Sequence, residues 1–334
     1  MAKILRSLAV LAVLALLAAA TYGVWYARTP VKAAALPVEF EIPEGIGMRG
    51  AARRLEQAGI DVGRKRFEAL ARFLGTTQDI KAGYYRISIP MTPREILDKL
   101  ERGEVVQSEV ILVEGWTFAQ FRAALESSNA LRHDSRGLAD AEILARIGAL
   151  EGHPEGLFFP DTYLFARGSS DLAVLRRAYR VMQEHLGREW AQRAPDVPFK
   201  TPYEALIMAS IVEKETGRAA EREQIAGVLA NRLRIRMALQ ADPTVIYGLG
   251  DSFDGNLKKV HLKTDGPYNT YTRRGLPPTP IAMPGLAALR ATLQPAKLDA
   301  LYYVSRGDGT SEFSRTLKDH NRAVAKYQLK PNRK

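Results

Sequence analysis

The chain begins with a long apolar segment. From Ser7 to Ala27 it carries no charged residue and is rich in Leu, Ala and Val. A helix of this length reaches about 30 Å, the thickness of the hydrocarbon layer of a bilayer. Tyr22, Trp25 and Tyr26 lie at its far end, where amphipathic rings favour the membrane interface. The pattern predicts a single membrane-spanning anchor over residues 1–28.

A cleavable signal peptide is the competing interpretation of this segment. Ala18, Ala19 and Ala20 have the small side chains of a cleavage site. The apolar run continues past them, as an uncleaved helix requires, so we favour the anchor. The basic residues before the run predict a cytoplasmic N-terminus. The rest of the chain is then expected outside the cytoplasm.

Beyond a tether over residues 29–37, the pattern predicts a small module over residues 38–108. Its predicted order is a strand at 38–42, helices at 48–58 and 66–74, a strand at 83–89 and a helix from 92 to 100. Thr92 and Glu95 form a capping box around Pro93 at the start of that last helix.

The remainder of the chain is predicted to be mostly helical. The expected elements are a strand at 110–113, a helix at 117–126, helical structure at 127–150 with a polar break, an aromatic strand ending at 165, and helices at 171–186, 201–217 and 221–237. We expect Asp171 to cap the first of these three long helices. Because helices and strands are segregated rather than alternating, the predicted fold class is α+β.

The helix predicted at 201–217 carries the most informative carboxylates. Every residue from Ala205 to Val212 is apolar or small, which predicts burial on most sides. Glu213 and Glu215 follow in its last turn. Loss of hydration and the negative end of the helix both raise the pKa of a carboxyl there, as a general acid requires. Spacing does not choose between the two glutamates, and a solvated helix end fits equally well.

Two downstream segments interleave amide, carboxylate and tyrosine side chains. Gln240, Asp242 and Tyr247 lie in the first segment, and Asn269 and Tyr271 lie in the second. Sugars offer hydroxyls to paired donors and acceptors, and their C–H faces stack on rings. Each segment alone fits a turn with a buried Tyr and a capping Asn. Together with the helix glutamates they predict a polysaccharide groove.

Composition narrows the chemistry further. The formal net charge of +11 permits an anionic partner, although a solvated basic surface, including the arginines between residues 218 and 236, explains it more simply. The absence of Cys excludes disulfides, thiolate nucleophiles and Cys-based metal sites. The five His residues are scattered along the chain. The sequence therefore predicts no metal and no cofactor.

Several motifs, in this order, resemble the YceG-like family of endolytic murein transglycosylases, which are membrane-anchored lytic transglycosylases of bacteria. They are Glu155–Tyr163 (EGLFFPDTY), Ala209–Thr216 (ASIVEKET), Asn231–Leu233 (NRL), Gln240–Gly248 (QADPTVIYG), Tyr268–Tyr271 (YNTY), Gly275–Pro278 (GLPP) and Pro284–Gly285 (PG). The resemblance extends from about residue 38 to residue 330 and includes the anchor.

The resemblance implies a fold and an activity. It implies a LysM-like module over 38–108 and a lysozyme-like catalytic domain over 109–330, with Glu213 as the single catalytic residue. The implied reaction cleaves the β-1,4 bond between N-acetylmuramic acid and N-acetylglucosamine in nascent peptidoglycan and leaves a 1,6-anhydromuramyl end. The family also implies internal cleavage that ends strand elongation. Gln240, Asp242, Tyr247, Asn269, Tyr271 and Glu155 are the predicted substrate-binding residues.

The implied partners follow from this reading. Peptidoglycan strands are the expected substrate, and peptidoglycan synthases are expected neighbours. A nucleic-acid partner is disfavoured once export is accepted, despite the positive net charge. Two rival classes remain: a non-catalytic wall-binding anchor, and a true hydrolase in which Asp242 activates water. A glutamate that ends an apolar helix argues against the pure binder.

Overall fold

The computed structural model describes residues 2–77, 79–215 and 218–329, which form a mixed α and β structure. The chain divides into two compact units. Unit 1 comprises residues 1–108 and 164–169, and unit 2 comprises residues 109–163 and 170–334. The predicted mixture of helices and strands is confirmed at this level.

The first helix, α1 (Ala2–Arg28), is long and apolar enough to cross a membrane. Its leucine and valine side chains from Ile4 to Val24 are exposed. Such a surface fits a lipid environment better than water. A signal sequence has the same length and composition, so the helix alone supports both interpretations of the segment.

After α1, the five predicted elements of unit 1 occur in the predicted order, and two short strands, β1 (Lys32–Ala33) and β3 (Ile60–Asp61), occur in addition. In chain order the elements are β1, β2 (Val38–Ile42), α2 (Met48–Gln57), β3, α3 (Arg64–Leu74), β4 (Gly83–Ile87) and α4 (Pro93–Arg102). β1 lies inside the segment predicted as a tether and pairs with β3, a pairing that the sequence pattern did not reveal.

The core of unit 1 forms where β2 pairs with β4. The strands are antiparallel, and Phe40 lies opposite Tyr85 with ring centroids 5.7 Å apart. Both rings are buried against apolar residues of α2, α3 and α4. Thr92 and Glu95 form the predicted capping box at the start of α4. Alternation in the strands and helical periodicity between them therefore specify one shared core.

Unit 2 is mostly helical. The elements from residue 107 onward are β5 (Gln107–Ile111), α5 (Phe118–Ser127), α6 (Asp140–Ile147), β6 (Thr162–Ala166), α7 (Asp171–Ala191), α8 (Pro202–Glu215), α9 (Arg222–Arg234), α10 (Asp242–Leu249), α11 (Lys259–Lys263), α12 (Leu286–Leu293), β7 (Tyr302–Ser305), β8 (Ser311–Ser314) and α13 (Leu317–Val324). The unit boundaries fall within β5 and β6.

Helix α8 lies at the centre of unit 2, in contact with α7, α9, α10 and α12. All eight residues from Ala205 to Val212 are buried, as their composition predicts. α9 passes close to the chain after α12, since a Cβ on Gly227 would lie 2.6 Å from the carbonyl oxygen of Ala296. The predicted end of α8 at Gly217 lies outside the described residues.

The segment between α5 and α7 differs from the prediction. Only α6 is helical there, whereas helical structure was expected over most of residues 127–150. Asp171 does not cap α7, because Ser170 occupies the N-cap position. The buried Asp171 carboxylate instead accepts hydrogen bonds from the backbone N–H of Ser135 at 3.0 Å and from its hydroxyl at 2.6 Å. This long-range contact holds the chain around Ser135, the predicted polar break, in a turn.

Candidate active site

The last turn of α8 presents two glutamates on different sides of the helix. Glu213 and Glu215 are two residues apart, a rotation of about 200° at 3.6 residues per turn. Their carboxyl groups therefore meet different neighbours.

Glu213 is fixed by contacts to its own unit. Its Oε2 accepts a hydrogen bond from the Gly285 N–H at 2.9 Å, and its Oε1 lies 4.0 Å from Nη2 of Arg222. The side chain is only 8% exposed. Burial raises the pKa of Glu213 and the charge of Glu114 adds to this, whereas the Gly285 N–H, Arg222 and Lys214 oppose it.

The segment around residue 115 closes over this side of α8. The Gly115 N–H donates to the Met283 carbonyl, and the Met283 N–H donates to the Trp116 carbonyl, each at 2.8 Å. Nζ of Lys214 donates to the Gly115 carbonyl at 3.1 Å. Glu213 thus lies where α8 meets two chain segments that are bonded to each other, and its hydrogen bond to Gly285 joins α8 to one of them.

Glu215 has a different environment. The side chain is half-buried, and the Tyr303 hydroxyl donates a hydrogen bond to it. Burial is the main cause that raises the pKa of Glu215 to about 7, and the charge of Asp242 acts in the same direction. The Tyr303 hydroxyl and Arg232 partly oppose the shift. A carboxyl with a pKa near 7 is protonated in a large fraction of molecules at neutral pH, as a general acid requires.

A cleft opens beside Glu215. Its volume is about 310 Å³. The lining side chains come from the end of α8, from α9 with the turn before it, and from the β7–β8 hairpin. They include Glu215, Arg218, Tyr303, Ser305 and Ser311. A polar cleft with a protonated carboxyl at its wall can bind a hydroxylated ligand and donate a proton to it.

Arg232 departs from the expected solvated basic face. Its side chain is buried, with the residue 6% exposed. Nε donates to the Leu301 carbonyl at 2.7 Å, and Nη1 donates to the Leu239 carbonyl at 2.6 Å. The guanidinium therefore connects α9 to the segment before β7 and to the segment before α10. Its positive charge also lowers the pKa of Glu215.

Two predicted groove residues meet near Glu215. The Tyr271 hydroxyl donates a hydrogen bond to Oδ1 of Asp242 at the start of α10. Asp242 is exposed, and its negative charge contributes to the raised pKa of Glu215. Gln240, two residues before Asp242, is exposed and has a backbone φ of 50°. Its N–H donates a hydrogen bond to the Thr270 carbonyl at 3.0 Å.

Asn269 is buried, and its side chain makes hydrogen bonds within the protein. It is 5% exposed, and its Nδ2 donates to the carbonyls of His261, Leu262 and Thr264. Its Oδ1 accepts from the N–H of Tyr271 at 2.9 Å. The amide is therefore occupied in ordering its own loop, which matches the alternative of a capping Asn and positions Tyr271.

The buried Glu155 and the half-buried Tyr247 form a separate pair. The Tyr247 hydroxyl donates to Oε2 of Glu155 at 3.0 Å, and the Phe118 N–H donates to Oε1 at 3.0 Å. Glu155 is 4% exposed, and burial raises its pKa to about 7. Tyr247 also packs edge-on against Tyr268 with ring centroids 4.9 Å apart. These contacts connect the segment around residue 155 with α5 and α10.

The raised pKa of Glu155 predicts a pH-dependent stability. Because the folded pKa is about 7 and the usual value is 4.5, the folded state holds the proton more tightly. The free energy of unfolding should therefore fall by roughly 3 kcal/mol between pH 4.5 and 7. Glu155→Gln should remove that fall, measured by urea unfolding at pH 5 and pH 8. Glu215 titrates in both proteins, so its contribution cancels when the two pH dependences are compared. If the free energy of unfolding changes with pH equally in the wild type and in Glu155→Gln, Glu155 does not have the raised pKa.

Sequence reasoning missed Tyr303 and the buried role of Arg232. Tyr303 lies about 90 residues after Glu215, in a strand whose partner begins at Ser311. The only available signal was the apolar and aromatic run at 301–304. In the described part of the chain, no group of three or more His, Asp or Glu side chains is arranged to hold a metal ion.

Comparison with known proteins gives consistent matches. Residues 40–326 match the model of the YceG-like family. An endolytic murein transglycosylase of Bacillus subtilis (strain 168) is 31% identical over 314 residues, covering 89% of this chain and 86% of that protein. The endolytic murein transglycosylase of Streptococcus pneumoniae (strain ATCC BAA-255 / R6) is 28% identical, covering 86% of this chain and 57% of that protein.

A solved structure agrees with these sequence matches. The crystal structure of a yceG-like protein from Listeria monocytogenes superimposes with a TM-score of 0.54 at 28% sequence identity. The match covers 86% of this chain and 98% of that one. The similarity therefore spans most of both units.

Proposed function

Since this chain belongs to the YceG-like family, we propose that it cleaves the β-1,4 bond between N-acetylmuramic acid and N-acetylglucosamine in nascent peptidoglycan as a lytic transglycosylase. The relatives that match most of the chain are named for murein transglycosylation. The observation that carries the proposal is a glutamate at the end of a buried helix, with a pKa of about 7, in the wall of a polar cleft.

One carboxyl is sufficient for this reaction. The protonated glutamate gives its proton to the glycosidic oxygen as the bond from that oxygen to muramyl C1 breaks. The resulting carboxylate takes the proton of the muramyl 6-hydroxyl, whose oxygen bonds to C1. The products are a free 4-hydroxyl on one sugar and a 1,6-anhydro ring on the other, and no water is consumed. The nucleophile is held within the substrate, so proximity replaces the second carboxylate of a hydrolase.

Glu213 and Glu215 are the two candidates for the acid. The sequence assigns Glu213 by resemblance. The geometry supports Glu215 better, because Glu215 lines the cleft and shares its surroundings with Asp242. Glu213 is already held by Gly285 and Arg222. We therefore propose Glu215 as the acid and Glu213 as a positioning residue, with Asp242, Tyr271 and Gln240 beside the substrate.

The organisation of the whole chain is also a proposal. We propose that α1 anchors the protein in the inner membrane, with the residues after it outside the cytoplasm. Unit 1 would serve as a LysM-like glycan-binding module, and residues 109–330 would form a lysozyme-like catalytic domain. Internal cleavage close to the membrane would end strand elongation beside peptidoglycan synthases. The apolar exposed surface of α1 supports the anchor.

Digestion of uncrosslinked glycan strands tests the activity. The full chain, purified in detergent, should release fragments whose muramyl ends resist borohydride reduction and are lighter by one water than hydrolysis products. The Glu213→Gln/Glu215→Gln double variant is the control. Reducible ends would instead support the hydrolase, in which Asp242 activates water. Binding without new ends would leave the non-catalytic anchor.

A further inference from the structure

Unit 1 carries an apolar groove between the last turns of α1 and one face of α3. Its volume is about 630 Å³. Val24 and Ala27 line it from α1, and Leu70, Phe73 and Leu74 line it from α3. Phe73 is 87% exposed. An open apolar wall of this kind is unfavourable in water and marks a surface for an apolar ligand.

The two helices are held together at this level. The Tyr26 side chain is buried, and its hydroxyl donates to the Val62 carbonyl just before α3. Arg66 on α3 donates from Nη1 to the Tyr22 hydroxyl at 3.2 Å, and its guanidinium lies 5.3 Å from the centre of the Tyr26 ring. The groove is therefore fixed beside the end of α1, where a spanning helix leaves the hydrocarbon layer.

The groove also carries positive charge. Arg28, Arg66 and Arg94 contribute to its lining, and among the described residues that line it none is Asp or Glu. Arg28 and Arg66 are exposed, and Arg94 is half-exposed and pairs with Asp98 at 3.0 Å. An apolar slot lined with guanidinium groups complements a ligand that has a hydrocarbon chain and a phosphate.

We propose that this groove binds an anionic phospholipid of the bilayer in which α1 is inserted. An acyl chain lies along α1 against Leu70 and Phe73, and the phosphate meets the guanidinium groups of Arg28, Arg66 and Arg94. The inference rests on the proposed anchoring of α1. Its consequence is that unit 1 is held against the membrane surface by α3 as well as by α1.

Native mass spectrometry of the full chain in detergent tests the lipid site. Phosphatidylglycerol should bind more tightly than phosphatidylcholine of the same acyl composition. Arg66→Ala/Arg94→Ala should weaken phosphatidylglycerol binding by about 25-fold, since each basic residue contributes about fivefold near anionic lipid. Arg53→Ala/Arg54→Ala removes the same charge from exposed positions on α2 and should leave the preference unchanged.

A second variant tests the apolar wall. Phe73→Ser lies at an exposed position, so it should fold normally and weaken the binding of both lipids equally. Equal binding of the two lipids by the wild type, or an equal loss in the α2 double variant, would overturn the proposal. Alkaline carbonate extraction from phosphatidylglycerol vesicles separates the two claims. Extraction of the full chain would reject the anchor, whereas a retained chain without lipid preference would reject only the groove.

Discussion

Glu215→Gln is expected to lower the rate of glycan cleavage by about 10³-fold, within the range that a positioned general acid contributes. The substitution keeps the side-chain shape and an acceptor for the Tyr303 hydroxyl, so the fold should be retained. In the wild type, activity should fall as pH rises through about 7, because the acid must be protonated and the pKa of Glu215 is about 7. Release of anhydromuramyl fragments at pH 6 and pH 8 measures both effects.

Glu213→Gln is the matched control, made in the same turn of the same helix. It removes the charge that lies 4.0 Å from Arg222 but keeps an oxygen that can accept from the Gly285 N–H. We expect a smaller loss of activity and an unchanged alkaline limb of the pH profile, with some loss of thermal stability. The reverse result, an inactive Glu213→Gln and an active Glu215→Gln, would assign the acid to Glu213 as the sequence resemblance implies.

The central helix of this fold was predictable because its signal is local. Eight consecutive apolar or small residues from Ala205 to Val212 leave no polar face, so the helix must be buried. Glu213 and Glu215 come directly after this run in the sequence, so their place in the last turn of the helix was also predictable. The same reasoning recovered the capping box at Thr92, since all its hydrogen bonds join residues within one turn.

Long-range polar contacts were beyond the reach of the sequence pattern. Asp171 bonds to Ser135, and Arg232 bonds to the carbonyls of Leu239 and Leu301, and no periodicity marks any of these pairs. Helix α10 was missed because its segment begins with Asp-Pro and contains Gly248, which are signals of a turn. Spacing also leaves the choice between the two glutamates open, since it depends on neighbours that are distant in sequence, such as Tyr303 beside Glu215.

The buried guanidinium gives the largest expected effect on stability. Arg232→Met keeps most of the apolar volume but leaves the Leu239 and Leu301 carbonyls without their donor. It also removes the positive charge that lowers the pKa of Glu215, so this pKa should rise further. We expect the free energy of unfolding to fall by about 3–5 kcal/mol, measured by urea denaturation at pH 7.

Arg234→Met provides the comparison on the same helix. Arg234 is exposed, pairs with the exposed Asp196 at 3.4 Å, and also donates to the Asp196 carbonyl and to Oδ1 of Asn231. Because water can replace the guanidinium at these exposed contacts, its removal should cost about 1 kcal/mol. Arg232→Lys should recover only part of the loss, because an ammonium group lacks the fork that reaches two carbonyls at once. If Arg232→Met costs no more than Arg234→Met, the two carbonyls must find other donors, and the hydrogen bonds of the buried guanidinium are not what stabilises this part of the fold.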